Sequence, residues 1–440
     1  MAVRRDRPEG ARSGDRRNEN MMPVGIEAIN VFGGSACLDV ERLAVHRQMD
    51  MDRFANLLMK EKTVALPNED PVSFAINAAK PVLDGLSPDE RAKIEMVITC
   101  TESAFDFGKS MSTYVQDLLE LPRRCRLFEL KNACYSGTAG LQMAVNFVLS
   151  QTSPGAKALV VASDLSRFLM EEGGDALTED WSFAEPSSGA GAVAMLVSDT
   201  PYIFQVDVGA NGYYGFEVMD TCRPSADTEA GDADLSLLSY LECCQQAFLA
   251  YQDRVEGADY RATFGYLAFH TPFGGMVKGA HRTMMRKFGK VAAKDIEADF
   301  VRRVVPGLTH CQRLGNIMGA TLPLALVSTI EHAEIEEATR IGCFSYGSGC
   351  CSEFFSGVAT VDGQARVRSL GLKDQFDQRY ALSMEEYETL LRESGVVKFG
   401  TRNATPHAGT ISGVCKGTSA GPRLYLKAIR EFHREYEWIA

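Results

Sequence analysis

From Tyr135 to Gln151 the chain reads YSGTAGLQMAVNFVLSQ, a long stretch without one charged side chain. A helix of that composition has no face suited to water, so the fold must bury it. Cys125 to Leu130 (CRLFEL), a strand candidate, runs into it through KNAC. A strand feeding a buried helix is the unit of an α/β protein, and the rest of the chain repeats that style. Ile94 to Thr99 (IEMVIT), Ala158 to Ala162 (ALVVA) and Gly191 to Val197 (GAVAMLV) read as further strands, with Pro201 as a break after the last. Farther on, Phe264 to Phe269 (FGYLAF) leads to His270, a buried helical stretch covers Asn316 to Ile330, and Ile341 to Phe344 runs into SYGSG.

At 440 residues a single core would be unusual, so two packed halves are expected. Two segments echo each other, AEPSSGAGAVAML and FSYGSGCCSEFFSGV, each a small-residue turn beside an apolar strand. The echo suggests a weak duplication, while the absence of a 20–50 residue period argues against a solenoid. No Pro/Ser-rich linker parts the halves, so they should pack as one unit. Residues 1–22 open with a polar, Arg-rich segment lacking an apolar h-region, and they read as a disordered extension.

The formal charge is −12. Six Arg against four acids in the first twenty residues leave −14 for the body. An acidic body does not suit nucleic acid or an anionic membrane as main partner. No apolar run reaches the roughly 18 residues that span a bilayer. Twelve cysteines are scattered without C-x-x-C spacing, and no secretory signal is evident. They read as buried thiols of a cytoplasmic protein, with no metal site and no resident cofactor.

Cys134 stands apart from the rest. It lies between a strand and a buried helix whose Gly137 and Gly140 permit close packing. Free N–H groups and the positive end of a helix dipole favour a thiolate there, and the same N–H groups suit an oxyanion. A covalent nucleophile needs a base and a polarising partner. Glu102 follows one strand in a polar turn, and His270 ends another before Pro272, Gly274 and Gly275. His310, in a polar segment, is the alternative histidine. Loops from several strand ends of an α/β sheet commonly converge on one site.

TES and DFGKS within 101–110, NACYSGTAGLQMA at 132–144, FHTPF at 269–273, GNIMG at 315–319 and FSYGSG at 344–349 occur in order. Together they resemble the 3-hydroxy-3-methylglutaryl-coenzyme A synthase family over residues 24–440. LLMKEKTVALP, FELKNACYSGTAG, DWSFAEPSSGAGAV, GGMVKGAHRTMMRK and FGTRN are most similar to its bacterial polyketide β-branching members, which act on acyl carrier proteins. The resemblance implies a thiolase-like layered α-β-α-β-α fold and a homodimer. Its first half would be 23–200, holding Glu102 and Cys134, and its second 201–440, holding His270, Asn316 and Ser348.

It also implies roles: Cys134 as acyl-carrying nucleophile, Glu102 as general acid/base, and His270 as the partner that polarises the acceptor thioester. Asn316 and Ser348 match substrate-site positions, and Ser187 and Ser236 match weaker substrate contacts. Substrates would arrive as thioesters on donor and acceptor carrier proteins or on coenzyme A. Coenzyme A-using members tend to show F-H-x-P-x-x-K, whereas here Gly274 and Gly275 follow Phe273 and the first Lys is Lys278. A phosphopantetheine arm lacks the nucleotide that such a Lys would meet. On a helix beginning at GGMVKG, Lys278, Arg282 and Arg286 fall on one face and could dock an acidic carrier protein. The alternatives are a coenzyme A-dependent enzyme of the mevalonate pathway, a ketoacyl synthase or thiolase relative, which the TES glutamate disfavours, and an inactive scaffold.

Overall fold

Side chains of a strand alternate between the two faces of its sheet, so a strand apolar at every position is covered on both. In this chain the alternation is strict. Ala158, Val160 and Ala162 belong to one core, and Leu159 and Val161 to another. Farther along, Tyr266 and Ala268 share the first core while Leu267 and Phe269 enter a third. These assignments come from a computed structural model. It describes residues 22–166, 184–225, 228–289, 291–393, 396–407, 409–411 and 422–439. The expected disordered extension, except Met22, lies outside the described residues, as does the DWSF of one quoted motif.

Nine strands form one mixed sheet: β1 (Gly25–Phe32), β2 (Ile94–Cys100), β3 (Arg126–Leu130), β4 (Lys157–Leu165), β5 (Ala190–Ser198), β6 (Phe204–Gly215), β7 (Tyr266–Phe269), β8 (Thr339–Gly347) and β9 (Cys351–Ala359). Their order is β7-β8-β9-β6-β1-β5-β4-β2-β3. Only Gly25–Gln205 and Ile26–Phe204 join β1 to β6, so the sheet is two subsheets sharing a short seam. In each, an antiparallel pair (β4 with β5, β8 with β9) is flanked by an outer parallel strand, β2 or β7. The echoing turns AEPSSG and SYGSG enter β5 and β9, which occupy equivalent places.

Helices complete five layers. The outermost on the first subsheet is α1 (Pro71–Asp84), started by a capping box in which Asp70 and Ser73 satisfy each other's N–H groups. Between the subsheets lie α2 (Ser136–Leu149) and α5 (Thr321–His332), whose Leu141, Val145, Leu322 and Leu326 share one core with strands of both. On the far side pack α3 (Ala233–Arg254) and α4 (Gly274–Met284). The layering is therefore α-β-α-β-α. Burial of each large apolar side chain in the middle layer contributes roughly 1.5–3 kcal/mol. The charge-free helix is not wholly covered, because Met143 and Asn146 of α2 are exposed. Among the described residues, no helix is long and apolar enough to cross a membrane.

Candidate active site

Strands β2, β3 and β4 run parallel, with Cys100 opposite Leu130 and Ala162, so their C-terminal loops emerge on one edge of the sheet. Glu102 follows β2, Cys134 follows β3, and Asp164 closes β4. In the other subsheet Phe269 of β7 pairs with Phe344 of β8, placing His270 beside the SYGSG turn. A cavity of about 1430 Å³ opens between these ends, and Glu102, Cys134, Ser187, Ser236, His270, Asn316 and Ser348 all line it. His310 does not. It is buried, with Nε2 2.5 Å from Glu331. His310, Glu331 and His332 have ligand atoms within 4.8 Å of one another. Yet His310 Nδ1 has no partner among the described residues, whereas a metal-bound histidine usually donates its second N–H.

The Cys134 elbow is sharp. Ala133 has φ +43°, the left-handed region that costs a non-glycine residue roughly 1–2 kcal/mol. Tyr135 N donates to Asn132 O at 3.1 Å and Ser136 N to Ala133 O at 3.2 Å, closing the turn onto α2. A Cβ on Gly137 would lie 2.0 Å from Gly319 O, so this glycine lets the turn at Met318–Ala320 press against the start of α2. That contact brings Asn316 and Cys134 to the same cavity.

Glu102 is positioned through its backbone. Buried Asp164 accepts from Thr101 Oγ1 and Glu102 N, each at 2.8 Å, from Ser103 N at 3.1 Å, and on its other oxygen from Gly319 N at 3.1 Å. One carboxylate thus ties the Glu102 loop to the Asn316 turn. Burial pushes the Asp164 carboxyl up, against the pull of those donors. Arg223 sits with NH2 3.9 Å from Glu102 Oε1 and donates NH1 to Glu102 O at 3.3 Å. Sequence reasoning singled out neither Asp164 nor Arg223, although an acid ending the apolar run ALVVAS was a visible signal.

His270 is pinned by its main chain, with N–H donating to Phe344 O at 2.8 Å and carbonyl accepting from Tyr240 Oη at 2.6 Å. Burial lowers its pKa to about 3, so the ring is neutral at physiological pH. Nδ1 is buried without a partner among the described residues. Asn316 Oδ1 accepts from Met318 N at 3.0 Å and Thr321 Oγ1 at 2.9 Å, which fixes the amide at the cavity wall. Its N–H donates to Ser187 O at 2.7 Å, joining two of the expected substrate contacts.

The basic stripe is not what its spacing suggested. Helix α4 ends at Met284 and a π-helical turn, Met285–Gly289, follows. Arg286 therefore leaves the line that α-helical periodicity sets through Lys278 and Arg282. Lys278 is half-buried and paired with Glu297 at 2.7 Å, while Arg282 and Arg286 are exposed. None of the three lines the cavity, whose cations are Arg53, Lys109, Lys131 and Arg223.

The departure at Gly275 has a steric cause. A Cβ there would lie 1.9 Å from Asn56 O, because the backbone of residues 56–58 lies across the first turn of α4. Gly275→Lys is expected to destabilise the protein by about 1–3 kcal/mol, the usual range for overpacking, without conferring turnover of acetoacetyl-coenzyme A. Thermal denaturation together with a coenzyme A assay checks both outcomes.

Residues 21–201 match the family described as hydroxymethylglutaryl-coenzyme A synthase N terminal, and residues 281–438 match its C-terminal counterpart. The chain is 65% identical over 420 residues to the polyketide biosynthesis 3-hydroxy-3-methylglutaryl-ACP synthase PksG of Bacillus subtilis, covering 96% of this chain and 100% of that one. It is 32% identical to the hydroxymethylglutaryl-CoA synthase of Enterococcus faecalis over 376 residues, or 85% and 92% of the two chains. Among solved structures, the curacin pathway HMG synthase in complex with acetyl donor-ACP aligns with TM-score 0.91 at 64% identity, covering 95% of this chain and 100% of that chain. MvaS in complex with 3-hydroxy-3-methylglutaryl coenzyme A aligns at 0.81 and 30%, covering 95% and 99%. The thiolase-like fold of these neighbours is the layered fold found here.

Proposed function

The chain belongs to the hydroxymethylglutaryl-coenzyme A synthase family, and we propose that it belongs to the branch whose thioesters ride on acyl carrier proteins. It is a transferase of the carbon–carbon bond-forming kind, a 3-hydroxy-3-methylglutaryl-ACP synthase for polyketide β-branching. The observation that carries this reading is the 65% identity across the whole length of a polyketide synthase of that name. Backbone occupying the place of a side chain at Gly275 agrees with it.

Cys134 takes acetyl from a donor carrier protein. Glu102 then removes a proton from the acetyl methyl group, and the enolate attacks the β-keto carbon of the acceptor thioester. The alkoxide so formed takes its proton from Glu102, and water frees the product from Cys134. Such α-protons are acidic enough for a carboxylate in a water-poor pocket. Neutral His270 holds the acceptor by a hydrogen bond, while Asn316, Ser348, Ser187 and Ser236 contact the substrates. Backbone N–H groups near Cys134 and Ser348 stabilise the developing oxyanions.

The same reading divides the chain into halves at 23–200 and 201–440. It makes the protein a homodimer, for which the open edge of β3 beside exposed Met143 offers a surface. The same reading places the protein in the cytoplasm, where free thiols persist.

Donor and acceptor carrier proteins dock on the exposed cations, Arg282 and Arg286, with Lys278 contributing little while Glu297 neutralises it. Arg286→Glu is expected to raise KM for the acetoacetyl carrier protein several-fold and to leave turnover of an acetoacetyl pantetheine thioester unchanged. Added salt should weaken the wild-type carrier interaction, since exposed charges are screened beyond about 8–10 Å. Preference of the wild type for acetoacetyl-coenzyme A over the carrier-bound form would return the protein to the mevalonate-type activity.

A further inference from the structure

Glu353 is a buried carboxylate that the proposed chemistry does not use. It lies on β9 in the second subsheet, 1% exposed. Its Oε2 accepts from the Tyr135 phenol at 2.7 Å. Its Oε1 accepts from Gln142 Nε2 at 3.0 Å and from Asn211 Nδ2 at 3.3 Å. Tyr135 is the residue after Cys134, and Gln142 lies two helical turns on, so two of the three donors belong to the elbow and its helix. The third comes from β6. One side chain therefore clamps the nucleophile helix of the first subsheet onto the second.

The elbow has reason to need a clamp. Ala133 is held in the left-handed region one residue before Cys134. The turn also presses against the end of β8, where a Cβ on Gly347 would lie 2.7 Å from Tyr135 N and 2.8 Å from Asn132 O. Strained backbone persists only where its surroundings over-determine it. Burial, then the carboxylate beside it, raises the Tyr135 phenol far above its ordinary value, so it remains a donor. Burying a carboxylate is costly unless hydrogen bonds compensate. Arg254 acts on Glu353 only through space and donates instead to Asn211 Oδ1 at 2.7 Å. Burial pushes the Glu353 carboxyl up to about 7, a perturbation more frequent at functional sites than in ordinary cores.

We propose that Glu353 is a positioning residue for the nucleophile, fixing the Cys134 elbow across the two subsheets through the Tyr135 phenol. The proposal rests on the reading of Cys134 as the acyl-carrying residue. A reactive group displaced by about 1 Å can lose on the order of 10²-fold in rate, which sets the scale of the effect.

The test is the single-turnover rate of acetyl loading onto Cys134 from an acetyl carrier protein, read by intact mass, with carrier affinity and melting temperature measured on the same samples. Tyr135→Phe and Glu353→Ala should each slow loading by about tenfold or more with carrier affinity unchanged. Glu353→Gln, which keeps an acceptor for the phenol, should recover most of the rate. The double variant Tyr135→Phe/Glu353→Ala should be no slower than the slower single, because both remove one tether. Loading at the wild-type rate in Tyr135→Phe would overturn the proposal. So would losses that only follow the fall in melting temperature, or that multiply in the double variant. Acyl adducts mapping to a residue other than Cys134 would instead remove the reading beneath it, an outcome that peptide mapping distinguishes.

Discussion

Cys134→Ala is expected to carry no acetyl after incubation with an acetyl carrier protein, and its product formation should fall by on the order of 10³-fold or more. Losing a covalent nucleophile leaves only substrate binding and oxyanion stabilisation, which is why the effect should dwarf that of any contact residue. The substitution removes a thiol that lines the cavity at the entry to α2 and leaves the backbone of the elbow in place. Stability should therefore change little, and a folded, unloaded protein is the informative result. Cys125→Ser is the matched control. Burial pushes that thiol up to about 12, so it is protonated at working pH and a poor nucleophile. Peptide mapping of wild type, Cys134→Ala and Cys125→Ser after loading decides the matter. An adduct that survives in Cys134→Ala would place the nucleophile elsewhere.

The parts of the fold legible in the sequence are those that local pattern encodes. The apolar runs at Ile94, Ala158, Gly191 and Phe264 are strands because both of their faces are covered, a condition that shows as an unbroken apolar string. Glu102 and His270 were legible because each closely follows such a run, and Cys134 because it lies between the strand candidate CRLFEL and a charge-free helix. The unread parts depend on partners distant along the chain. Asp164 matters through Gly319, Arg223 through Glu102, and Glu353 through Tyr135, and no periodicity links those pairs. The absent Lys near His270 was visible as a departure, but its cause, the backbone at Asn56, required the fold. The stripe from Lys278 to Arg286 shows the reverse failure. Its spacing fits an α-helix, yet the helix widens into a π turn and Glu297 neutralises its first member.

Glu102→Gln is expected to accept acetyl on Cys134 at close to the wild-type rate and then to stall, with condensation slowed by on the order of 10²–10⁴-fold, the range typical of a positioned acid/base. Geometry should survive the change, because Asp164 holds Thr101, Glu102 and Ser103 through their backbone and hydroxyl donors, none of which the substitution touches. Chemistry should not survive it. A carboxylate can take the methyl proton, and an amide cannot. Among the described residues, Asp164 is poorly placed to replace it. Its carboxylate is occupied by donors on both oxygens. Two measurements on preformed acetyl-enzyme check this: single-turnover condensation with an acetoacetyl carrier protein, and exchange of the acetyl methyl protons with deuterated solvent. Both should be lost together in Glu102→Gln, since both require the same proton to leave. Condensation near the wild-type rate would assign the base to another residue. Loss of acetyl loading along with condensation would show that Glu102 serves the acylation step as well.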